Sequence, residues 1–502
     1  MRDAAGKGVG VTASAAAVRP GVAGPPAPRP REVPWLAVVA AVYAVAQLAL
    51  VVPHMGGGLL WDESVYVSQV DPRHPAAFFS APRSRGISVL VAPLLAVTSS
   101  VPALRVALAL LSAAALYGAF RVWGPLVGRR TVALAALLFS GLWITEISGS
   151  QAMPNLWVAL GAVAAVGWFL RAPAERPANW WLAALTAGVT LLRAPDGGWL
   201  ALPLLLGATG VRRWRPALPA LFAGLGLGAA QWVIEAYARF GGIGARLRLS
   251  SATEGGMAPH LNAGPALRAL NGPLLCRPCH VPLRHPELTV WWLALPLLAA
   301  AALAFALRDH RLHRDGPDRL AATVLPLVCA ASLSVPYLLL ITYAAPRFLL
   351  PAYALLALPV AGLAARAIRA ARSPVPVAAL GVALALHLGS QYAVLVHNTS
   401  GEAGTAARYQ AAATGLHRLG VRPPCLVTGP RALPVGYAAG CASAQVKGNN
   451  RSTNVDGVLD RAARMPTAAL GRAHGTPPRY AHGWIRHPLP GTGWAAYLAP
   501  RR

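Results

Sequence analysis

Charge is scarce in this sequence. Only 12% of its 502 residues are Asp, Glu, Lys or Arg. That is about half the share in a soluble domain, which excludes a purely water-soluble fold. Lysine is almost missing, with Lys7 and Lys447 the only two among 45 basic residues. Acidic residues number just 17, so the position of each is informative. A phosphate-cradling Walker loop is also missing, because Gly241-Gly242-Ile243-Gly244 is not followed by Lys-Ser or Lys-Thr. This argues against ATP-driven transport by the chain.

Arginine and apolar residues are what the sequence has in abundance. The net charge is +28, and 55% of residues are hydrophobic. The arginines sit between apolar runs rather than along one face, which argues against a nucleic-acid partner. Apolar runs recur at about 20 residues, the length that crosses a bilayer. They fall at 35–53, 102–123, 131–147, 154–170, 178–192, 196–210, 215–237, 289–307, 319–343, 347–368 and 374–397. The run 86–98 is too short and is broken by Pro93, so an interfacial or re-entrant helix is expected there.

Positive charge orients this map, since basic residues collect on the cytoplasmic side. With the N-terminus inside, every inward turn holds a basic cluster: Arg129 and Arg130; Arg171 and Arg176; Arg212, Arg213 and Arg215; Arg308, Arg311 and Arg314; Arg369 and Arg372. The expected fold is an all-α polytopic membrane bundle of about eleven transmembrane helices. A disordered cytoplasmic tail covers 1–33, and the transmembrane domain covers 34–397 with external loops 54–101 and 238–288. Residues 398–502 combine a helical stretch with a short strand-like run at 425–428, so a small extracytoplasmic α/β C-terminal domain is expected. The localisation that follows is the cell membrane, multi-pass.

The scarce ionic groups cluster near the outer ends of the spans. Asp62 and Glu63 follow Gly56-Gly57-Gly58-Leu59-Leu60-Trp61 directly after the first span. A carboxylate at membrane level acts as a general base or holds a divalent metal; the plainer reading is a cap for the helix that follows. Arg83 and Arg85 in the first loop suit phosphate, acceptor or lipid headgroups. Glu146 and Glu235 lie near the outer ends of their helices, where acids are paired or functional. Arg193 and Asp196 suit a structural ion pair at a turn. Five cysteines are present. Cys329 reads as a small core residue. In an oxidising exterior the pairings Cys276–Cys279 and Cys425–Cys441 are expected; the alternative for the CxxC is zinc, with His280 and His285 as further ligands.

The Gly-rich approach to Trp61-Asp62-Glu63 after an apolar first helix resembles the GT-C glycosyltransferases, among them protein O-mannosyltransferases and lipid A aminoarabinose transferases. Ala152-Met153-Pro154-Asn155-Leu156 is similar to that family's second external turn. Leu191-Leu192-Arg193-Ala194-Pro195-Asp196-Gly197 resembles its Arg-Pro-Asp-Gly turn, and Ala345-Pro346-Arg347-Phe348-Leu349-Leu350-Pro351 its late Pro-Arg-Tyr-Leu-Leu-Pro element. The resemblance covers roughly residues 35–400. It implies transfer of a sugar from a polyprenyl-phosphate donor to a glycan, lipid or protein acceptor outside the membrane. Asp62 would then be the catalytic carboxylate with Glu63 its neighbour or alternate, and Arg347, with Arg85 as a second candidate, would face the donor phosphate. Many members carry an acid where this chain has Asn155, so a metal-independent site is favoured, with Glu146 the substitute should a divalent metal be used. No cofactor is firmly expected. The rival function is a transporter or flippase of lipid-linked sugars. It would need polar residues deep in several helices and internal symmetry between halves.

Overall fold

Backbone N–H and C=O groups in hydrocarbon must bond within their own segment, so apolar runs of this length become helices. The computed structural model describes Gly6, residues 33–314 and residues 316–500. The tail expected at 1–33 therefore lies outside the described residues, apart from Gly6 and Val33. Among the described residues, eight helices are long and apolar enough to cross a membrane. They are Trp35–His54, Val101–Arg121, Pro154–Arg171, Arg212–Phe240, Pro286–Arg311, Pro317–Leu339, Pro346–Ala370 and Pro374–Arg418. Each coincides with a run expected from the sequence.

Three expected spans are less regular. Arg129–Ser140 and Trp143–Gly149 would form one span but bend by 81° at the break. Gly141 sits at that bend, and a Cβ there would come within 2.3 Å of the Leu388 side chain on the last helix, which would have to move aside. Arg176–Leu192 and Ala194–Gly210 have 17 residues each, about a turn short of a typical span. The run expected to be interfacial is the 12-residue helix Gly86–Val97. It begins at Gly86, where a Cβ would stand 2.6 Å from the backbone of Leu192. That close approach seats the loop 54–101 on the turn that carries Arg193.

Helix Pro154–Arg171 lies at the centre and is buried on most sides. It packs on Arg176–Leu192, Val101–Arg121 and Leu350–Ala370. Trp123, Trp143, Phe139 and Phe169 fill the core around it.

The last helix, Pro374–Arg418, has 45 residues and runs unbroken through the expected boundary at 397/398. At roughly 1.5 Å per residue it is about 67 Å long, twice the bilayer core. Its far half projects beyond the apolar stretch and carries a five-stranded sheet of order β2-β1-β3-β5-β4. The strands are β1 Leu426–Thr428, β2 Ala442–Ala444, β3 Thr467–Arg472, β4 Ile485–Leu489 and β5 Trp494–Leu498. β1 is parallel to β2 and β3, while β5 is antiparallel to β3 and β4.

Cys425–Cys441 forms a disulfide at the start of the β1–β2 pair. The cross-link closes a loop with a sequence separation of 16. Restricting the unfolded chain in this way contributes about 2–3 kcal/mol. The double variant Cys425→Ala/Cys441→Ala is expected to lower the free energy of urea unfolding by that amount, read as the shift in midpoint multiplied by the m-value.

The sheet does not stand apart from the rest. Its residues Val427 and Leu470, with Tyr437 of the adjoining helix Ala432–Ala439, share one apolar cluster with Val65, Phe79 and Leu104 at one end of the bundle. The Tyr437 hydroxyl donates to Asp71 at 2.8 Å, and His74 stacks on the Tyr437 ring at 4.3 Å. Asp62 and the sheet therefore occupy the same end of the bundle.

Candidate active site

Asp62 and Glu63 open the short helix Trp61–Val67, whose N-cap is Leu60. Adjacent residues on a helix point about 100° apart, so the two carboxylates face different surroundings. Glu63 turns inward and is 1% exposed. Its Oε2 accepts from the Leu60 N–H at 3.1 Å, the inward half of a capping box. Its Oε1 accepts from the Ala152 N–H at 3.0 Å. Both oxygens accept from Arg105, at 3.3 and 3.2 Å. Arg105 also donates to the carbonyls of Gly58 and Ser150. Glu63 thus stitches the first loop, helix Val101–Arg121 and the turn at Ser150–Ala152 together, with no exposed oxygen to offer a substrate.

Asp62 turns the other way and keeps part of its surface open. Arg83 Nη2 donates to Oδ1 at 2.7 Å and Arg347 Nη2 to Oδ2 at 2.9 Å. Two residues 285 positions apart in sequence are thereby brought onto one carboxylate. Burial opposes the charge on Asp62, but Arg83 first and then Arg347 outweigh it, and Arg193 adds to their field. The carboxyl is held below its ordinary value.

The two arginines are themselves held in place. Arg83 stacks over the Tyr66 ring at 5.0 Å and donates to Ser80 Oγ at 3.2 Å. The backbone carbonyls of Ala81 and Arg83 accept from buried Arg246, each at 3.0 Å. Arg347 donates from Nη1 to the Leu274 carbonyl at 2.7 Å. Next to it, Cys276 and Ala344 exchange backbone hydrogen bonds at 2.8 and 3.2 Å, and a disulfide joins Cys276 to Cys279. The loop 238–288 therefore backs the turn that presents Arg347.

Several sequence candidates lie elsewhere. Arg85 pairs with Glu235 at 2.7 Å and stacks on Phe79. Glu235 also pairs with Arg239 at 2.9 Å and Arg246 at 3.1 Å. This network anchors the loop that carries Arg83 and engages the Arg85 guanidinium away from Asp62. Arg193 Nε is 3.4 Å from Asp196 Oδ2, and its guanidinium lies over Tyr337 and Phe348 at 5.3 and 5.2 Å. Tyr337 donates a short hydrogen bond to the same Asp196. Glu146 accepts from Gln47 Nε2 at 2.7 Å. Asn155 is 2% exposed, and neither side-chain amide atom has a partner. Among the described residues no group of three His, Cys, Asp or Glu side chains is placed to hold a metal ion.

Four residues at or around the site escaped sequence reasoning. Arg105 and Arg246 could have been flagged, since a charged residue inside or beside a spanning run is seldom idle. Glu402, on the last helix, lies within electrostatic reach of Glu63, Arg347 and Arg105. Arg431 comes from the sheet domain with a left-handed φ of 66°, and its guanidinium sits 5.7 Å from the Trp61 ring. Neither of the last two carries a local sequence signal, because their positions depend on how the last helix and the sheet dock.

No protein-family model and no curated protein sequence matches the chain. Solved structures do. The aminoarabinose transferase ArnT of Cupriavidus metallidurans, bound to undecaprenyl phosphate, is similar over 93% of this chain and 98% of that one, with a TM-score of 0.56 and 13% identity. Its apo state gives a TM-score of 0.57 at the same identity and coverage. The archaeal oligosaccharyltransferase AglB of Archaeoglobus fulgidus, in complex with an inhibitory peptide and a dolichol-phosphate, is similar over 82% of this chain and 64% of that one. Its TM-score is 0.52, with 14% identity. This multi-pass membrane chain thus has the fold of the GT-C glycosyltransferases.

Proposed function

We propose that this protein transfers a sugar from a polyprenyl-phosphate donor to an acceptor on the outer face of the cytoplasmic membrane. The observation that carries the reading is Asp62 clasped by Arg83 and Arg347 with Arg193 in its field. Three guanidinium groups against Asp62 and the Asp196 that pairs with Arg193 leave positive charge in excess beside an open carboxylate. Such a site is built for a phosphate, because guanidinium stays charged and pairs with phosphate oxygens through two donors. Guanidinium groups, rather than a divalent metal, supply the positive charge in this reading.

The arriving donor phosphate competes with Asp62 for Arg83 and Arg347. As the arginines turn to phosphate, Asp62 loses the partners that hold its carboxyl down and becomes a stronger base. It takes the proton from an acceptor hydroxyl as that oxygen bonds to the anomeric carbon. The bond from that carbon to the phosphate oxygen breaks, and polyprenyl phosphate leaves with the electron pair. Attack opposite the leaving group inverts the anomeric centre. The developing phosphate charge meets groups already in place, an electrostatic contribution. Arg431 and the sheet domain form the acceptor side, and Glu63 with Arg105 fixes the loop that presents Asp62.

The topology that serves this chemistry has eleven spans: the eight long helices, the bent pair and the two 17-residue helices. The N-terminus is cytoplasmic and the sheet extracytoplasmic, in keeping with the basic clusters at the opposite end.

The test is sugar transfer by purified protein in vesicles supplied with labelled polyprenyl-phosphate sugars, mannose first. Arg347→Lys keeps the charge but loses the two-pronged geometry. It is expected to raise KM for the donor and lower kcat/KM about 10–100-fold. Undiminished transfer by that variant would remove Arg347 from the phosphate site.

A further inference from the structure

The scarce acids of the bundle are matched to arginines, as at Asp62, Glu63 and Glu235. Residues 402–500 are built differently. They hold ten arginines and Lys447, all exposed, against three acids, Glu402, Asp456 and Asp460. Among the described residues, no carboxylate lies within ion-pair distance of any of these cations. Hydrogen bonds reach some of them, but from uncharged acceptors. Arg486 Nη2 donates to the Ala473 carbonyl at 2.6 Å, and Arg422 Nε to the His417 carbonyl at 3.3 Å. Each guanidinium keeps its charge, so eleven cations against three acids leave eight positive charges in excess.

The sheet gives part of this charge a shape. Successive residues of a strand point to opposite faces. Val427, Ala468, Leu470 and Ala496 join the apolar cluster shared with the bundle. Ala469, Ala495 and Tyr497 face the other way, where Tyr480 and Trp484 pack on them and stay half-exposed. The Tyr480 and Trp484 ring centroids are 6.1 Å apart with planes at 75°, and the Tyr480 and Thr428 hydroxyls are hydrogen-bonded at 3.0 Å. Arg486 stands opposite Tyr497 on the edge strand β4, so it shares this outer face with Trp484 two residues before it. Arg479 opens the turn Arg479–Ala481 and directly precedes Tyr480.

We infer that this outer face of the sheet binds an anionic glycan, with sugar rings on Trp484 and Tyr480 and acidic groups on Arg479 and Arg486. An aromatic face is electron-rich. The C–H bonds on one side of a sugar ring carry partial positive charge, so the two stack. Guanidinium pairs with an oxyanion through two donors. A polyanion without sugar rings would use the charge and leave the aromatic faces bare. A lipid surface is out of reach. Leu489 of β4 lies against Gly415, about 27 Å along the last helix from His397, where the apolar stretch ends. The headgroup layer is only about 5–8 Å deep. This face is turned away from the bundle that carries Asp62, so it holds the body of a glycan rather than a reacting end. The inference does not depend on the sugar-transfer reading.

The experiment is fluorescence anisotropy of labelled hexagalacturonate titrated with the full chain in octaethylene glycol monododecyl ether, a detergent without sugar. Labelled maltohexaose is the uncharged counterpart, and linear polyphosphate of similar charge is the sugar-free one. Wild type is expected to bind hexagalacturonate more tightly than either. Exposed charge pairs are worth up to about fivefold each, so Arg479→Gln/Arg486→Gln should weaken that binding about tenfold. Trp484→Leu keeps apolar cover on the sheet but loses the flat ring. It should weaken hexagalacturonate binding about fivefold while polyphosphate binding and the melting temperature stay close to wild type. Equal binding of hexagalacturonate and maltohexaose, or an unaltered Kd in either variant, would overturn the inference. Polyphosphate bound as tightly as hexagalacturonate would mean that the surface reads charge alone. Displacement of the sugar by phosphatidylglycerol vesicles would make a membrane the partner instead, and either result rejects the glycan.

Discussion

Asp62→Asn is expected to reduce sugar transfer by a factor of about 10²–10⁴, the range supplied by a positioned general base, with the yield of inserted protein unchanged. Asparagine has the shape of aspartate but cannot take a proton. Stability should hold because the side chain is 28% exposed, and ion pairs in contact with solvent contribute about 1 kcal/mol or less. Arg83 keeps Ser80 and Tyr66 as partners, and Arg347 keeps the Leu274 carbonyl. Transfer per folded molecule, normalised by size-exclusion peak area, is the measurement, and full activity in the purified variant would end the proposed mechanism.

The same clasp sets a pH signature. In the free protein the two arginines hold the Asp62 carboxyl below its ordinary value, so the base is already ionised well into acid. Once donor phosphate has drawn the arginines away, the carboxyl rises toward the ordinary range near 4. The acid limb of kcat, which reports the bound complex, should therefore lie at higher pH than the acid limb of kcat/KM, which reports the free protein.

Much of this arrangement can be read from the chain because two of its signals are local. Spanning length marks the helices, so all eight long ones fall where apolar runs predict them. Scarcity marks the ionic groups: Asp62 and Arg347 stand out among few candidates at the turns between apolar runs. What is not legible depends on long-range docking. Nothing between residues 80 and 90 indicates that Arg83 reaches Asp62 while Arg85 turns to Glu235, because the choice is made by Arg246 gripping the backbone of that loop. Two adjacent carboxylates read as interchangeable in sequence. Only the helix that begins at Trp61, with Arg105 beneath it, separates them into an open group and a buried one. The 397/398 boundary is invisible to the fold for a similar reason, since hydropathy changes there while the helix continues.

Glu63→Gln is expected to give the opposite outcome to Asp62→Asn. The carboxylate and Arg105 are both essentially without solvent contact, at 2% and 1% side-chain exposure. Removing one charge of such a pair strands the other in the interior, at a cost of about 3–5 kcal/mol. Glutamine still accepts from Leu60 or Ala152, but its NH2 group then faces the Arg105 donors, so no rotamer satisfies all four bonds. The variant should melt many degrees lower in detergent, yet retain most of its transfer per folded molecule. Adding Arg105→Met removes the stranded charge and should restore a large part of the lost stability, since apolar replacement of a buried pair is often nearly neutral. Thermal melts of both variants, read beside transfer rates, decide the matter. A stable Glu63→Gln protein without transfer would mean that Glu63, not Asp62 alone, takes part in the chemistry.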